Sequence, residues 1–114
     1  MSLFNTTLIG RIGNDPVTRQ ASNGTVTEIQ IAYENRRANN PVTEWVKVEC
    51  WNGLGTDVVA KFARKGDRIA ITANRFRTEA YTTRDGQPAS KLVLIAVDVE
   101  LLGDNRRSDE QPEF

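Results

Sequence analysis

From Thr43 to Trp51 the chain alternates with the two-residue period of a β-strand, yet its aromatic residues lie opposite its aliphatic ones. Val46, Val48 and Cys50 share one face; Trp45, Lys47, Glu49 and Trp51 share the other. The small aliphatic side chains already supply a core surface. Both tryptophans of the chain therefore stand among charges on a face expected to meet water. Indole is costly to keep wet, so such a face marks a contact surface. The alternative is that either ring packs under a helix or a subunit contact, as happens where both faces of a strand are covered. This strand alone does not choose between them. The run from 45 to 51 spans about 20 Å at about 3.3 Å per residue. That is room for several extended nucleotides, and two stacking surfaces with a lysine between them suit unpaired bases beside a phosphate chain.

With 114 residues the chain makes one domain able to bury a core without staples. Cys50 is its only cysteine, so no disulfide framework or thiolate metal cluster is expected, and a reducing, intracellular setting follows. Histidine is absent, which removes the commonest general base, the commonest metal ligand and every Ser-His or Cys-His dyad. No run is long enough to span a membrane, and Met1-Ser2-Leu3-Phe4 lacks a signal pattern. The expectation is a soluble, cytoplasmic protein with no cofactor, no metal and no catalytic residues. Net charge is zero. Four acidic and two basic residues fall in 104–114, however, leaving 13 basic against 11 acidic elsewhere. Basic residues also cluster as Arg36 and Arg37, as Arg64, Lys65 and Arg68, and as Arg75 and Arg77. Such groups can bind phosphate locally, although solvated faces produce them too.

The walk along the chain predicts strands and turns with a single helix. Thr6–Gly13 reads as a bent strand, Asn14-Asp15-Pro16 as a turn, and Ser22-Asn23-Gly24 as a hairpin. Thr27, Ile29 and Ile31 alternate with polar residues in a strand ending near Glu34, and 35–41 is a polar loop. After the tryptophan strand, Thr56 or Asp57 can cap a short helix lined by Leu54, Val58 and Phe62 and ended by Gly66. The strand from Asp67 to Tyr81 changes phase between Ile71 and Phe76, which predicts a β-bulge near Thr72–Asn74. Beyond it Arg75, Arg77, Glu79 and Tyr81 share the polar face. Arg84-Asp85-Gly86 makes a second hairpin, and in the last strand Val93, Ile95, Val97 and Val99 are expected to face one way and Leu92 and Leu94 the other, so that its first half is covered on both sides. Five bent strands with one short helix between the third and fourth form an all-β, OB-fold barrel, expected over 1–103. Residues 104–114 read as a short, acidic, disordered tail.

Thr7-Leu8-Ile9-Gly10-Arg11-Ile12-Gly13-Asn14-Asp15-Pro16, Thr43-Glu44-Trp45, Arg64-Lys65-Gly66 and Asp85-Gly86-Gln87 resemble the bacterial single-stranded DNA-binding protein family, from about Thr6 to Leu102. The resemblance implies OB folds assembled as a homotetramer, nucleoid-associated in the bacterial cytoplasm. It also implies a function in DNA replication, recombination and repair that involves no catalysis. Trp45, Trp51 and Tyr81 match the family's stacking aromatics, and strand alternation places the same three residues on polar faces. Phosphate or stacking candidates are Arg11, Arg36, Arg37, Lys47, Arg75, Arg77, Arg84 and Lys91.

The chain departs from the family in several places. Arg37 replaces a common aromatic, and a guanidinium stacks more weakly. Thr72–Phe76 is one residue longer and lacks the usual glycine. Glu79 stands where a base is common, and Ser90 where a tyrosine is. The family's acidic, partner-binding tip ends in Pro-Phe after a long linker; here Asp109, Glu110, Pro112 and Phe114 resemble it, with Glu113 intervening and almost no linker. A tail of this kind docks replication or repair proteins, or only solubilises the chain. The resulting expectation is a sequence-independent single-stranded DNA binder. A primosomal-type adaptor joining replication proteins is the second reading, and a carboxylate-metal nuclease the third.

Overall fold

The computed structural model describes residues 1–35 and 39–104. Its strands are β1 (Thr6–Ile12), β2 (Val17–Ala21), β3 (Gly24–Asn35), β4 (Val42–Trp51), β5 (Asp67–Thr82) and β6 (Pro88–Asp104). A π-helical segment, Leu54–Val59, runs into one helical turn, α1 (Ala60–Phe62), between β4 and β5. Six strand segments appear where five were expected because the Asn14-Asp15-Pro16 turn divides the first arm. β2 resumes after it and pairs with β3 through a tight turn, Ala21 lying opposite Gly24. The turn is stitched into place from two sides. Gln30 N donates to Asn14 Oδ1 at 2.8 Å, and Lys65 N donates to Asp15 Oδ1 at 3.0 Å. Gly66 N adds a bond to Ile12 O at 2.8 Å. Segments 50 residues apart in sequence thus meet at one seam.

The pairings close a ring. β1 lies antiparallel to β5 from Thr6 to Arg11, then swings onto β3 at Arg11 and Ile12. β3 pairs with β4, β4 runs parallel to β6, and β6 returns to β5. This is the closed barrel that the strand order predicted. Gly10 sits where β1 changes partners; a Cβ there would collide with the Ala32 carbonyl, so only glycine permits the crossing.

Inside lie Ile12, Ile29, Ile31, Val46, Val48, Cys50, Ile69, Ile71, Ala73, Leu94 and Ala96, with Val59 and Ala63 plugging one end. Each buried isoleucine stabilises the fold by about 1.5–3 kcal/mol relative to exposure. Two sequence expectations are corrected here. The helical segment buries Gly55, Val59 and Ala63 rather than Leu54, Val58 and Phe62; Leu54 only borders the core, and Phe62 is 63% exposed. Gly55 is pressed against the Cys50 carbonyl and Thr27, which rotates the segment by about one residue from the expected face. No side chain caps its start; Thr56 Oγ1 donates back to Asn52 O at 3.2 Å instead.

The second correction is in β6. The expected irregularity in β5 is present, and β6 carries a matching one. The register with β5 slips between Thr72 and Ala73, then slips back between Ala73 and Arg75. Val97 is thereby extra on β6, and Asn74 on β5. Each strand turns its faces over at that point. Hence Leu94 and Ala96 join the core, together with Val99 and Leu101 at its border, while Val93 and Ile95 point outward.

Candidate nucleic-acid interface

The inversion at Asn74 places the outer half of β5 on the same side as the tryptophans. Cross-strand register sets Lys47 beside Val93 and Val93 beside Arg77, with Glu49 beside Ile95 and Ile95 beside Arg75. Further out, Glu79 lies opposite Lys91, and Tyr81 opposite Ala89. One outward face therefore carries Trp45, Lys47, Glu49 and Trp51 from β4, Lys91 from β6, and Arg75, Arg77, Glu79 and Tyr81 from β5.

The two indoles differ. Trp45 is 53% exposed, and the edge of its six-membered ring abuts Gly13, where a Cβ would come within 2.3 Å of Cζ3. Gly13 N is fixed by a 2.8 Å bond to Gln30 O, so this seat is rigid. Trp51 is mostly covered and donates its Nε1–H to Glu49 Oε1 at 3.2 Å. Tyr81 is 47% exposed, with Lys91 Nζ 5.6 Å from its ring centroid, a cation–π distance.

The face is drier than the alternation suggested. Val26, Val93 and Ile95 are buried on it, and Glu49 is only 1% exposed. Glu49 remains charged because Arg77 grips it twice, Nη1 to Oε1 at 2.9 Å and Nη2 to Oε2 at 2.6 Å. That guanidinium holds the Glu49 carboxyl below the usual 4.5, with lesser help from the Trp51 indole and Lys47, against the opposing effect of burial. Arg77 also reaches Glu79 at 2.7 Å and lowers its pKa likewise. Lys47 Nζ lies 3.4 Å from Glu79 and 3.5 Å from Glu28, and Glu28 takes Arg19 at 2.8 Å. One ladder of ion pairs thus crosses four strands. Cys50, directly behind, has its thiol pushed up to about 12 by burial first and Glu49 second, so it is an inert core residue.

Of the expected phosphate contacts, Lys47 and Arg77 stand on this face but are engaged by carboxylates. Arg75 is exposed there and, among the described residues, has no ion pair. Arg84 is exposed in the turn at the tip of the β5–β6 arm. That turn is set by Gly86 at φ +83° and by Thr83 Oγ1 donating to Asp85 Oδ1 at 2.8 Å. Arg11 lies elsewhere, opposite Arg68 on the β1–β5 wall, with Nη1 3.2 Å from Gly66 O. Beside it opens a groove of about 400 Å3 lined by Ile9, Tyr33, Thr43 and Arg68. Arg36 and Arg37, and the tail residues Asp109, Glu110, Pro112 and Phe114, lie outside the described residues. Sequence reasoning missed Gly13, Arg19 and Glu28. Gly13 was visible as part of a motif, but its task depends on which ring crosses it.

Comparison with known proteins follows the same direction. The sequence profile of the Single-strand binding protein family matches residues 3–102. A single-stranded DNA-binding protein 1 of Nostoc sp. is 30% identical over 110 residues, covering 96% of this chain and 91% of that one. A single-stranded DNA-binding protein of Chlamydia caviae is 32% identical over 91 residues, covering 79% and 55%. Among solved structures, mitochondrial single-stranded DNA binding protein of S. cerevisiae superposes with a TM-score of 0.69 at 22% identity, covering 92% of this chain and all of that one. An SSB of Plasmodium falciparum in complex with ssDNA gives 0.68 at 24% identity, covering 90% and 97%. At these identities the structures show a shared OB fold, and the profile match over nearly the whole barrel decides descent: the chain belongs to the single-strand binding protein family.

Proposed function

We propose that this protein binds single-stranded DNA without regard to sequence, covering exposed strands during replication, recombination and repair. The observation that carries the reading is Trp45, a half-exposed indole on a rigid glycine seat, on the face that also bears Arg75 and Tyr81. Bases stack on Trp45 and Tyr81 and on the uncovered part of Trp51. The backbone runs past Arg75, Arg77, Lys47 and Lys91 toward Arg84, with Arg11, Arg36 and Arg37 extending the path. Stacking gives affinity without sequence readout because every base offers a π-face.

The protein acts by binding rather than catalysis. Glu28, Glu49 and Glu79, the carboxylates gathered on this face, are each held by arginine or lysine, which leaves them poor metal ligands. No helix among the described residues is long and apolar enough to cross a membrane. The reading also takes the protein to work as a homotetramer at the bacterial nucleoid, with its acidic tail offered to replication or repair proteins.

Titration with oligothymidine, followed by tryptophan emission and with light scattering for mass, tests this reading. Saturable quenching is expected. Trp45→Ala weakens binding by about tenfold or more, the loss of one stacked base at about 1–3 kcal/mol. Unchanged affinity in Trp45→Ala and Trp51→Ala alike refutes the assignment of this face.

A further inference from the structure

We propose that Glu79 is an internal competitor of the DNA backbone: it occupies Lys47 and Arg77 until a phosphate displaces it, and so lowers both affinity and salt sensitivity. The inference rests on the single-strand binding reading and specifies how that same face is regulated.

The three carboxylates of the ion-pair ladder are not equivalent. Glu49 is buried, doubly held by Arg77 and capped by the Trp51 indole, and belongs to the fold. Glu28 lies at the β2 margin, where Arg19 holds it with two donors at 2.8 and 3.0 Å. Glu79 is different. Its side chain is 30% exposed on the projecting β5–β6 arm, and its two oxygens reach the two cations nearest the centre of the face, Lys47 at 3.4 Å and Arg77 at 2.7 Å. A partly exposed ion pair is weakly held. Glu79 can therefore rotate into water while Glu49 keeps Arg77 in position.

That exchange has a measurable signature. Phosphates that engage Lys47 and Arg77 release condensed counterions from the strand. The displaced Glu79 carboxylate takes up a cation from solution, which offsets part of that release. The salt dependence of binding is thus shallower than the number of basic residues on the face suggests, and stacking supplies a larger share of the affinity. A neutral residue at 79 removes the offset and the Glu79 share of the competition, leaving Lys47 beside Glu28 at 3.5 Å and Arg77 on Glu49.

The test compares wild type, Glu79→Gln and Glu79→Thr by oligothymidine quenching at four salt concentrations. Glu100→Gln serves as a control that removes one charge from an exposed position away from this face. The expected result is binding about three- to tenfold tighter at low salt for both Glu79 variants. The log–log salt slope should steepen by about 0.7 for each further phosphate neutralised, with Glu100→Gln close to wild type. Wild-type quenching with unchanged or weaker binding in the Glu79 variants overturns the proposal. Equal tightening by Glu100→Gln overturns it too, since net charge then explains the effect. If wild type shows no quenching at all, the DNA-binding function itself falls and the inference with it.

Discussion

The two ends of β4 carry the same residue on the same face in opposite states. At one end Trp51 is mostly covered, tied through its indole N–H to a buried carboxylate, beside a fully buried Val26 on β3. Toward the other, Trp45 is half-exposed, sets its ring edge against a bare glycine and faces Ala32 across the strand pair. Alternation makes these positions equivalent, but cross-strand neighbours do not. Where they supply a valine and an ionic clamp, indole becomes part of the fold. Where they supply alanine and glycine, it remains a flat surface half open to solvent. A strand can thus anchor itself at one tryptophan and offer the other to a ligand.

The largest expected effect separates these two uses through stability. Trp51→Ala removes a mostly buried ring and leaves Glu49 short of a donor, so it should lower the unfolding free energy by about 2–4 kcal/mol. Trp45→Ala should lower it by less than about 1 kcal/mol, as expected for a side chain that is half in water. Urea unfolding of both variants checks this, and equal losses would erase the distinction.

A smaller effect is expected on binding, from a residue that touches no DNA. Gly13→Ala drives a methyl group against the edge of the Trp45 ring at 2.3 Å from Cζ3, and the Gly13 backbone is held by its bond to Gln30. The indole must leave its seat. Oligothymidine affinity should fall by up to about tenfold, approaching the Trp45→Ala value, with an unfolding midpoint near wild type. Affinity at the wild-type level would mean that the seat does not orient the ring.

Much of this molecule was legible in its sequence because β-strand alternation is a local property. The β4 faces, the two hairpin turns and the phase change in β5 could all be read from residue type and spacing. The grouping of Trp45 with Trp51 on β4, and of Arg75, Arg77 and Tyr81 on β5, followed from the same count. What escaped depended on register between distant strands. The compensating bulge at Val97 answers the one at Asn74, so β6 read alone put Val99 on the face of Val93 and Ile95 rather than on that of Leu94. The burial of Glu49 depends on Arg77, 28 residues away. Spacing of apolar residues gave the right length for the helical segment and the wrong buried face, because Gly55 docking on Cys50 sets its rotation.

The finest test of the comparison is acid titration. Arg77 holds the Glu49 carboxyl below its ordinary value of 4.5 in the folded protein, whereas the unfolded chain has no such partner. The clamp therefore stabilises the fold fully above that ordinary value and is lost as pH falls below it, through the lowered folded value. Glu79 and Asp85 are shifted in the same direction, by Arg77 and by Thr83 respectively, and steepen the acid limb further. Glu49→Gln removes only the Glu49 share. Its stability should fall less steeply than wild type between about pH 5 and 3, and parallel curves would contradict the clamp. Single-tryptophan variants localise the change. With Trp45 replaced by Phe, emission from Trp51 should shift as Glu49 takes up its proton, because its hydrogen-bond acceptor changes charge. With Trp51 replaced instead, emission from Trp45 should stay flat until the barrel itself unfolds, because the hydrogen bond to Glu49 is made by the Trp51 indole. An equal acid response from both rings would mean that the face titrates as one unit, and that the division between an anchoring and an offered tryptophan is not real.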